Sequence, residues 1–124
     1  MSHVVHALLL ATAGALGTLV RAGCTTLAVR LWGPAYPWGT LGVNVVGCFA
    51  FGVVWAFARG RHLPHGTETV LLVGLLGGFT TYSSFAFQAA EMLQSGRWGA
   101  AVSYVLATNV IGLAAIWAGL RCLR

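Results

Sequence analysis

The segment between Glu68 and Glu91 contains 22 consecutive residues without a formal charge. A run of ~20 apolar residues is long enough to cross the ~30 Å hydrocarbon core of a bilayer as a helix. In the middle of this run, over Gly77–Phe85, two adjacent glycines precede a cluster of hydroxyl residues. Non-helical backbone at membrane depth persists only where protein buries it or where it lines a watery path. The segment therefore predicts either a broken membrane helix that turns polar groups toward a small ion, or a packing face of small residues.

The scarcity of charge extends along the whole chain. Only 7% of the 124 residues are charged and 58% are hydrophobic, whereas a soluble domain carries about 25% charged residues. The stretches 31–58 and 98–120 also lack a formal charge, and the segment 1–20 carries only histidines as titratable side chains. We predict an all-α membrane protein with a single transmembrane domain over residues 1–124. Its four helices are expected at about 4–30, 38–58, 68–94 and 98–121, the third broken near its middle.

The charged residues and cysteines argue against several classes of function. The net charge of +5 comes from arginines that are dispersed toward the predicted helix ends, and such dispersal argues against nucleic-acid binding. The three cysteines are far apart and form no Cys-x-x-Cys pair, which argues against a disulfide framework or a thiol-redox enzyme. No nucleophile–base pair or set of metal ligands can be assembled, so an enzyme is not expected. Apart from Arg21, which lies within the first span, the arginines divide four against two between the two sides, a bias too weak to fix the orientation in the membrane.

Polar side chains within the predicted spans are nearly all neutral. Thr40 and Asn44 are four residues apart and share a face of the second helix, and Tyr104 and Thr108 repeat this spacing on the fourth. An embedded Asn can donate two hydrogen bonds toward an anion, or it can bond to a neighbouring helix. Arg21 lies in the first span, where it either meets a partner or a water-filled space, or extends to the nearer interface.

The chemistry of these groups indicates the charge of a transported solute. The chain has no aspartate, and its two glutamates flank the third span. Coupled cation transport typically relies on an acidic residue within the membrane, which this pattern lacks. Hydroxyl and amide donors, together with the partly positive ring edges of Phe79 and Phe85, favour a small anion. Carbonyls freed at the glycine break would instead favour a cation.

Three motifs, taken in order along the chain, resemble the Fluc (CrcB) family of fluoride channels. They are Gly-x-x-Gly-x-x-x-Arg at 14–21, Gly-Thr-Leu-x-Val-Asn-x-x-Gly at 39–47 and Gly-Gly-x-Thr-Thr-aromatic-Ser-x-Phe at 77–85. Tyr104 and Thr108 add the hydroxyl line of the last span. Each motif alone is modest, but the ordered set within so short a chain is specific.

The resemblance implies an antiparallel, dual-topology dimer in the lipid bilayer of the plasma membrane, with narrow fluoride pathways between the subunits. It implies passive export of fluoride down its electrochemical gradient, which protects the cell from fluoride. A structural Na⁺ at the dimer interface would be held by backbone carbonyls of Gly77 and Thr80, and Gly77→Ala is expected to disturb the break. The residues expected to form the fluoride pathway are Asn44, Tyr82, Phe85, Thr40, Ser83, Ser84, Tyr104, Thr108 and Arg21.

Three departures from the family pattern leave alternatives open. Tyr82 stands where the family usually has Phe, Gln88 where many members have Glu, and Ala22 where Tyr is usual. A weakened pathway, or pairing with a different subunit, would be consistent with these changes, so homodimer and heterodimer both remain open. The alternatives to a self-sufficient channel are a non-conducting subunit of a heterodimeric fluoride channel and a small multidrug-type exporter. The exporter is disfavoured because it needs an embedded Glu, usually in the first span, and this first span has no acid.

Overall fold

The computed structural model describes residues 2–61 and 63–123 of the chain. These residues form helices joined by short turns, and no strand occurs among them. Four helical segments are long and apolar enough to cross a membrane. The prediction of an all-α, multi-pass membrane protein is therefore confirmed. The segments are α1 (His3–Trp32), α2 (Trp38–Arg61), a composite third span (Gly66–Gln94) and α6 (Trp98–Arg121).

The third span is interrupted at two hydroxyl residues. Thr80 (φ −88°, ψ 160°) and Thr81 (φ −152°, ψ 118°) both have extended backbone, and the helix resumes at Tyr82. The prediction of a third helix broken near its middle is confirmed. The helical pieces of this span are α3 (His65–Thr69), a π-helical segment (Val70–Leu76), α4 (Gly77–Phe79) and α5 (Tyr82–Gln94).

The backbone that leads into the break was not predicted in detail. The π-helical segment Val70–Leu76 precedes it, and π-helical turns are rare and often lie near functional sites. Gly77 itself has ordinary helical backbone, with φ −63° and ψ −37°, so the interruption comes after the glycines. A Cβ on Gly77 would lie 3.7 Å from the carbonyl oxygen of Leu72, an ordinary contact. The expectation that Gly77→Ala disturbs the break therefore has no steric basis here.

The second glycine of the pair allows α1 to approach the third span closely. A Cβ on Gly78 would overlap the backbone oxygen of Gly14 on α1. A Cβ on Gly17, one turn further along α1, would overlap the backbone oxygen of Leu75. Small residues let membrane helices approach backbone to backbone. The glycines of the first and third motifs therefore fix α1 against the segment that ends at the break.

A second close crossing joins α2 to α6. A Cβ on Gly52 would overlap the carbonyl oxygen of Ile116, and a Cβ on Gly119 would overlap that of Phe49. The helices α2 and α6 run in the same direction, since Cys48 lies beside Gly112 and Gly52, further along α2, lies beside Gly119. The buried cluster between α5 and α6 consists of Phe85, Ala89, Met92, Ala101 and Tyr104.

A hydrogen bond connects the α1–α2 turn to the turn between α5 and α6. Gly33 (φ 78°) ends α1 and Gly96 (φ 75°) follows α5, and both have the positive φ that glycine adopts without strain. The guanidinium of Arg97, in the second turn, donates a hydrogen bond to the backbone carbonyl of Ala35 in the first. This contact holds the α1–α2 turn against the start of α6.

Candidate functional site

Asn44 on α2 binds the backbone at the break through both ends of its amide. The Thr81 N–H donates to Asn44 Oδ1 at 2.8 Å, and Asn44 Nδ2 donates to the Thr81 carbonyl at 3.0 Å. The pair of bonds fixes the orientation of the amide, because only its oxygen can accept from an N–H. A backbone group unpaired in hydrocarbon costs several kcal/mol, so Asn44 stabilises the extended residue. One Nδ2 hydrogen remains available for another acceptor.

Arg21 reaches the same segment from α1. Its Nε donates to the carbonyl oxygen of Gly78 at 3.1 Å. The side chain is half-buried at this position, so it meets a partner within the protein instead of extending to the interface. Arg21 therefore contacts the backbone of the third span and does not line the groove described below.

Thr81 also begins the helix that follows the break. Its Oγ1 accepts a hydrogen bond from the Ser84 N–H at 3.2 Å and donates to Ser84 Oγ at 3.1 Å. The Ser83 hydroxyl lies 3.4 Å from the same oxygen. A threonine side chain that accepts from the third residue of a helix is a typical N-cap. Ser83 and Ser84, both predicted to face the pathway, thus lie around the cap of α5.

Because of these contacts, two backbone carbonyls lack the N–H donors that they would have in a regular α-helix. In an uninterrupted helix, the Gly77 carbonyl would accept from the Thr81 N–H, which here donates to Asn44. The Thr80 carbonyl would accept from the Ser84 N–H, which here donates to Thr81 Oγ1. Gly77 and Thr80 are the residues whose carbonyls the resemblance assigns to Na⁺. Carbonyl oxygens suit a hard cation, so the donor chemistry at the break fits such an ion.

A groove of about 390 Å³ opens beside the break, between α2, α5 and α6. It brings together residues predicted separately on three spans. The residues that line it are Asn44, Gly47, Cys48, Phe51, Thr80, Thr81, Tyr82, Phe85, Thr108, Asn109, Gly112, Leu113 and Ile116. None of these lining residues is acidic or basic. The polar side chains of the groove are hydroxyls, amides and the Cys48 thiol, and the remaining lining residues are aromatic, aliphatic or glycine.

Two aromatic rings form one wall of the groove. The ring centroids of Tyr82 and Phe85 are 5.6 Å apart, with an interplanar angle of 57°. Tyr82 is 79% exposed, whereas Phe85 is 6% exposed and packs on Tyr104. Tyr82 therefore presents its ring and hydroxyl outward from the protomer, whereas Phe85 is almost completely covered by the protomer.

Thr108 contributes an unusual hydroxyl to the opposite wall. Its Oγ1 is buried and has no hydrogen-bond partner within the part of the chain that the structure describes. A buried hydroxyl without a partner costs about 1–3 kcal/mol. The hydroxyl therefore has a hydrogen-bonding capacity that no described residue uses, and a solute that reached it as an acceptor would recover this cost.

Tyr104 and Thr40 lie behind the groove instead of lining it. Tyr104 is fully buried, and its hydroxyl donates to Gln88 Oε1 at 2.9 Å. The side chain of Thr40 is a second hydrogen-bond partner of that hydroxyl. Thr40 and Gln88 also line a separate cavity of about 520 Å³ near the two connected turns. The Tyr104 ring, 5.2 Å from that of Phe85, thus stands between this cavity and the groove.

Sequence reasoning did not include Thr81 among the expected site residues. Thr81 is the residue on which the Asn44 and Ser84 contacts converge. Threonine is a preferred N-cap residue, so its position directly before a helical run is a signal that could have identified it. Cys48 and Gly112 lie on facing helices, with only 3.6 Å from the sulfur to a Cβ built on the glycine, and no local pattern indicates that pairing.

Comparison with known proteins places this arrangement in a family. The model of the CrcB-like protein, Camphor Resistance (CrcB) family matches residues 8–120. The chain belongs to the CrcB family. A relative from Rhizobium leguminosarum bv. trifolii, named Fluoride-specific ion channel FluC, is 42% identical over 122 residues, 98% of each chain. Relatives with the same name from Nitrosococcus oceani (41% over 111 residues, 89% of each chain) and Parabacteroides distasonis (37% over 117 residues, 94% of this chain and 91% of the relative) are also similar.

Membership in the CrcB family confirms the resemblance predicted from the three motifs. Each motif has a structural role in this CrcB protein. The first holds Arg21 and the glycines that meet the third span, and the second places Asn44 on the break. The third forms the break and its aromatic wall. The roles of individual residues in ion movement stay predictions.

Proposed function

We propose that this CrcB protein is a fluoride channel that lets F⁻ leave the cell passively across the plasma membrane. The observation that carries the proposal is the composition of the groove beside the break. An amide, a buried hydroxyl without a partner and aromatic ring edges converge there, and no lining residue is charged. Transport of this kind needs no nucleophile and no coupled acid, in agreement with the residues present.

The physical basis is the exchange of water for protein donors. Fluoride is small and strongly hydrated, so it enters only where hydrogen-bond donors replace its water. The Thr108 hydroxyl and the unused Asn44 Nδ2 hydrogen supply such donors, and the edges of Phe85 and Tyr82 carry partial positive charge. Neutral groups bind the ion weakly enough for it to leave again, which conduction requires.

We propose that the pathway is completed in an antiparallel dimer. The groove is open along one side of the protomer, and the highly exposed Tyr82 stands at its edge. A second copy of the chain, or a related subunit, would cover this side and separate the path from lipid. The symmetric pairing of identical surfaces is the common way to build such an interface.

We assign the structural Na⁺ to the carbonyls of Gly77 and Thr80 from each protomer. The ion would supply positive charge to oxygens whose regular helical donors bind elsewhere. Asn44 and Arg21 support this assignment because they satisfy the neighbouring backbone groups, at Thr81 and Gly78.

A fluoride-electrode measurement on reconstituted protein tests the function. Liposomes loaded with potassium fluoride and given valinomycin should release fluoride rapidly when they contain this protein, and chloride-loaded liposomes should not release chloride. The expected efflux from the chain reconstituted alone supports a homodimeric channel. Efflux that appears only with a related subunit supports the heterodimer. Absence of efflux in both preparations, with correctly assembled protein, would contradict the proposal.

A further inference from the structure

Three exposed arginines at one end of the molecule each lie over an aromatic ring one helical turn earlier in the chain. We refer to these residues as the stacked arginines. An arginine over a ring within about 6 Å of its centroid makes a favourable cation–π contact. The pairs, with the distance from the guanidinium carbon to the ring centroid, are Arg59–Trp55 (5.0 Å), Arg61–Phe57 (5.3 Å) and Arg121–Trp117 (4.7 Å).

The fold brings the stacked arginines to one side of the membrane. Arg59 and Arg61 lie in the last turn of α2, and Arg121 lies in the last turn of α6. The two helices run in the same direction and cross at Gly52 and Gly119, close to these ends. The positive charges therefore lie at the same end of the molecule, although they are far apart in sequence.

The stacking sets the depth at which these charges are held. Cβ atoms in a helix tilt toward its N-terminus, so side chains at the ends of α2 and α6 point back toward the membrane. Each guanidinium follows this direction and covers a ring one turn deeper, instead of extending into water. The rings face outward from the protomer, since Trp117 is 59% and Phe57 40% exposed. Aromatic rings of this kind are enriched at the level of lipid headgroups.

We propose that the stacked arginines, which point to different faces of α2 and α6 at this end of the molecule, each bind the phosphate of an anionic phospholipid. A guanidinium presents paired N–H donors that match the oxygens of a phosphate, and its stacking on a ring keeps it pre-positioned. Clusters of basic residues next to membrane helices attract anionic lipids. The acyl chains of such a lipid would extend along the exposed Trp117 and Phe57. The proposal does not depend on the function proposed above.

The arginines at the other side have different surroundings and provide controls. Arg97 donates to the carbonyl of Ala35 and so helps to hold a turn. Arg30 lies in the last turn of α1, and no ring stacks under it among the cation–π pairs of residues 2–61 and 63–123. Arg30→Gln therefore removes one charge of the same type without removing a stacked pair.

Native mass spectrometry of the purified protein with added phosphatidylglycerol or phosphatidylcholine tests the proposal. The parent should bind phosphatidylglycerol at least about tenfold more tightly than phosphatidylcholine. The triple variant Arg59→Gln/Arg61→Gln/Arg121→Gln should lose this preference, with about a fivefold loss for each single change. Arg30→Gln should keep it. Unchanged thermal unfolding of the variants would show that the loss does not come from misfolding.

Three results would overturn the assignment. One is equal binding of the two lipids to the parent protein. Another is a preference for phosphatidylglycerol that survives in the folded triple variant, or that Arg30→Gln reduces as much as Arg121→Gln. The third is displacement of phosphatidylglycerol by inorganic phosphate, which would indicate a site for the free anion instead of a lipid.

Discussion

Replacement of Asn44 by leucine tests how the break in the third span is maintained. The substitution removes an acceptor from the Thr81 N–H and a donor from the Thr81 carbonyl, which lie 2.8 Å and 3.0 Å from the amide. Each buried polar group left without a partner costs about 1–3 kcal/mol, so the two together cost about 2–6 kcal/mol if nothing replaces the amide. This cost falls on the extended conformation at Thr81. We therefore expect the variant to be less stable than the parent.

Transport should fall together with stability. Because each ~1.4 kcal/mol corresponds to a tenfold change in rate, fluoride efflux from liposomes should decrease at least tenfold in Asn44→Leu. The unfolding midpoint in detergent should fall as well, and amide exchange at Thr81 should become faster. A role of Asn44 as a pathway donor alone would reduce efflux without affecting amide exchange at Thr81.

A second asparagine in the groove provides a matched control. Asn109 on α6 also lines the groove, but its Nδ2 donates to the Val105 carbonyl of its own helix. Asn109→Leu removes the same functional group without exposing the backbone of another span, so stability should change little. The reasoning is refuted if Asn44→Leu leaves the unfolding midpoint and the efflux rate unchanged, or if Asn109→Leu destabilises the protein as much.

Further substitutions separate the walls of the groove from its scaffold. Phe85→Ile should assemble normally and lower fluoride efflux from liposomes at least tenfold, since an aliphatic side chain lacks a positive ring edge. Tyr82→Phe keeps the ring and should preserve or raise efflux in the same assay. Thr108→Val should lower efflux about tenfold while thermal unfolding is unchanged or slightly higher, because it removes an unpartnered buried hydroxyl. Gly78→Ala should destabilise the protein by about 1–3 kcal/mol through overpacking, whereas Gly77→Ala has space for its methyl group and should unfold near the parent's temperature.

The number of spans and the presence of the break could be predicted because they depend on local composition. Charge-free runs of sufficient length indicate helices across a bilayer, and the glycine pair followed by hydroxyl residues indicates that one of them is interrupted. The exact position of the interruption was harder to predict from the sequence. Adjacent glycines are compatible with close packing as well as with a break, and in this structure Gly78 serves packing while Thr80 and Thr81 are extended.

The pairing of polar groups could not be predicted, because it depends on contacts between distant parts of the chain. Asn44 and Thr81 are separated by 37 positions, and Arg21 and Gly78 by 57. The sequence shows that these residues can form hydrogen bonds but does not show with which group. The π-helical segment Val70–Leu76 could not be predicted either, because its apolar residues are also compatible with an ordinary α-helix.

The contacts around the break divide its polar groups into two sets with different functions. Lipid cannot satisfy an interrupted backbone, so side chains from two other helices must do so. Arg21 and Asn44 perform this task from opposite sides, at Gly78 and Thr81. The hydrogens already bound to backbone are not available to an ion, whereas the second Nδ2 hydrogen of Asn44 is. The donors that remain, above all the Thr108 hydroxyl, are neutral and few. A strongly hydrated anion would therefore meet enough donors to enter the groove but no charged group to retain it, which is the balance that rapid passage requires.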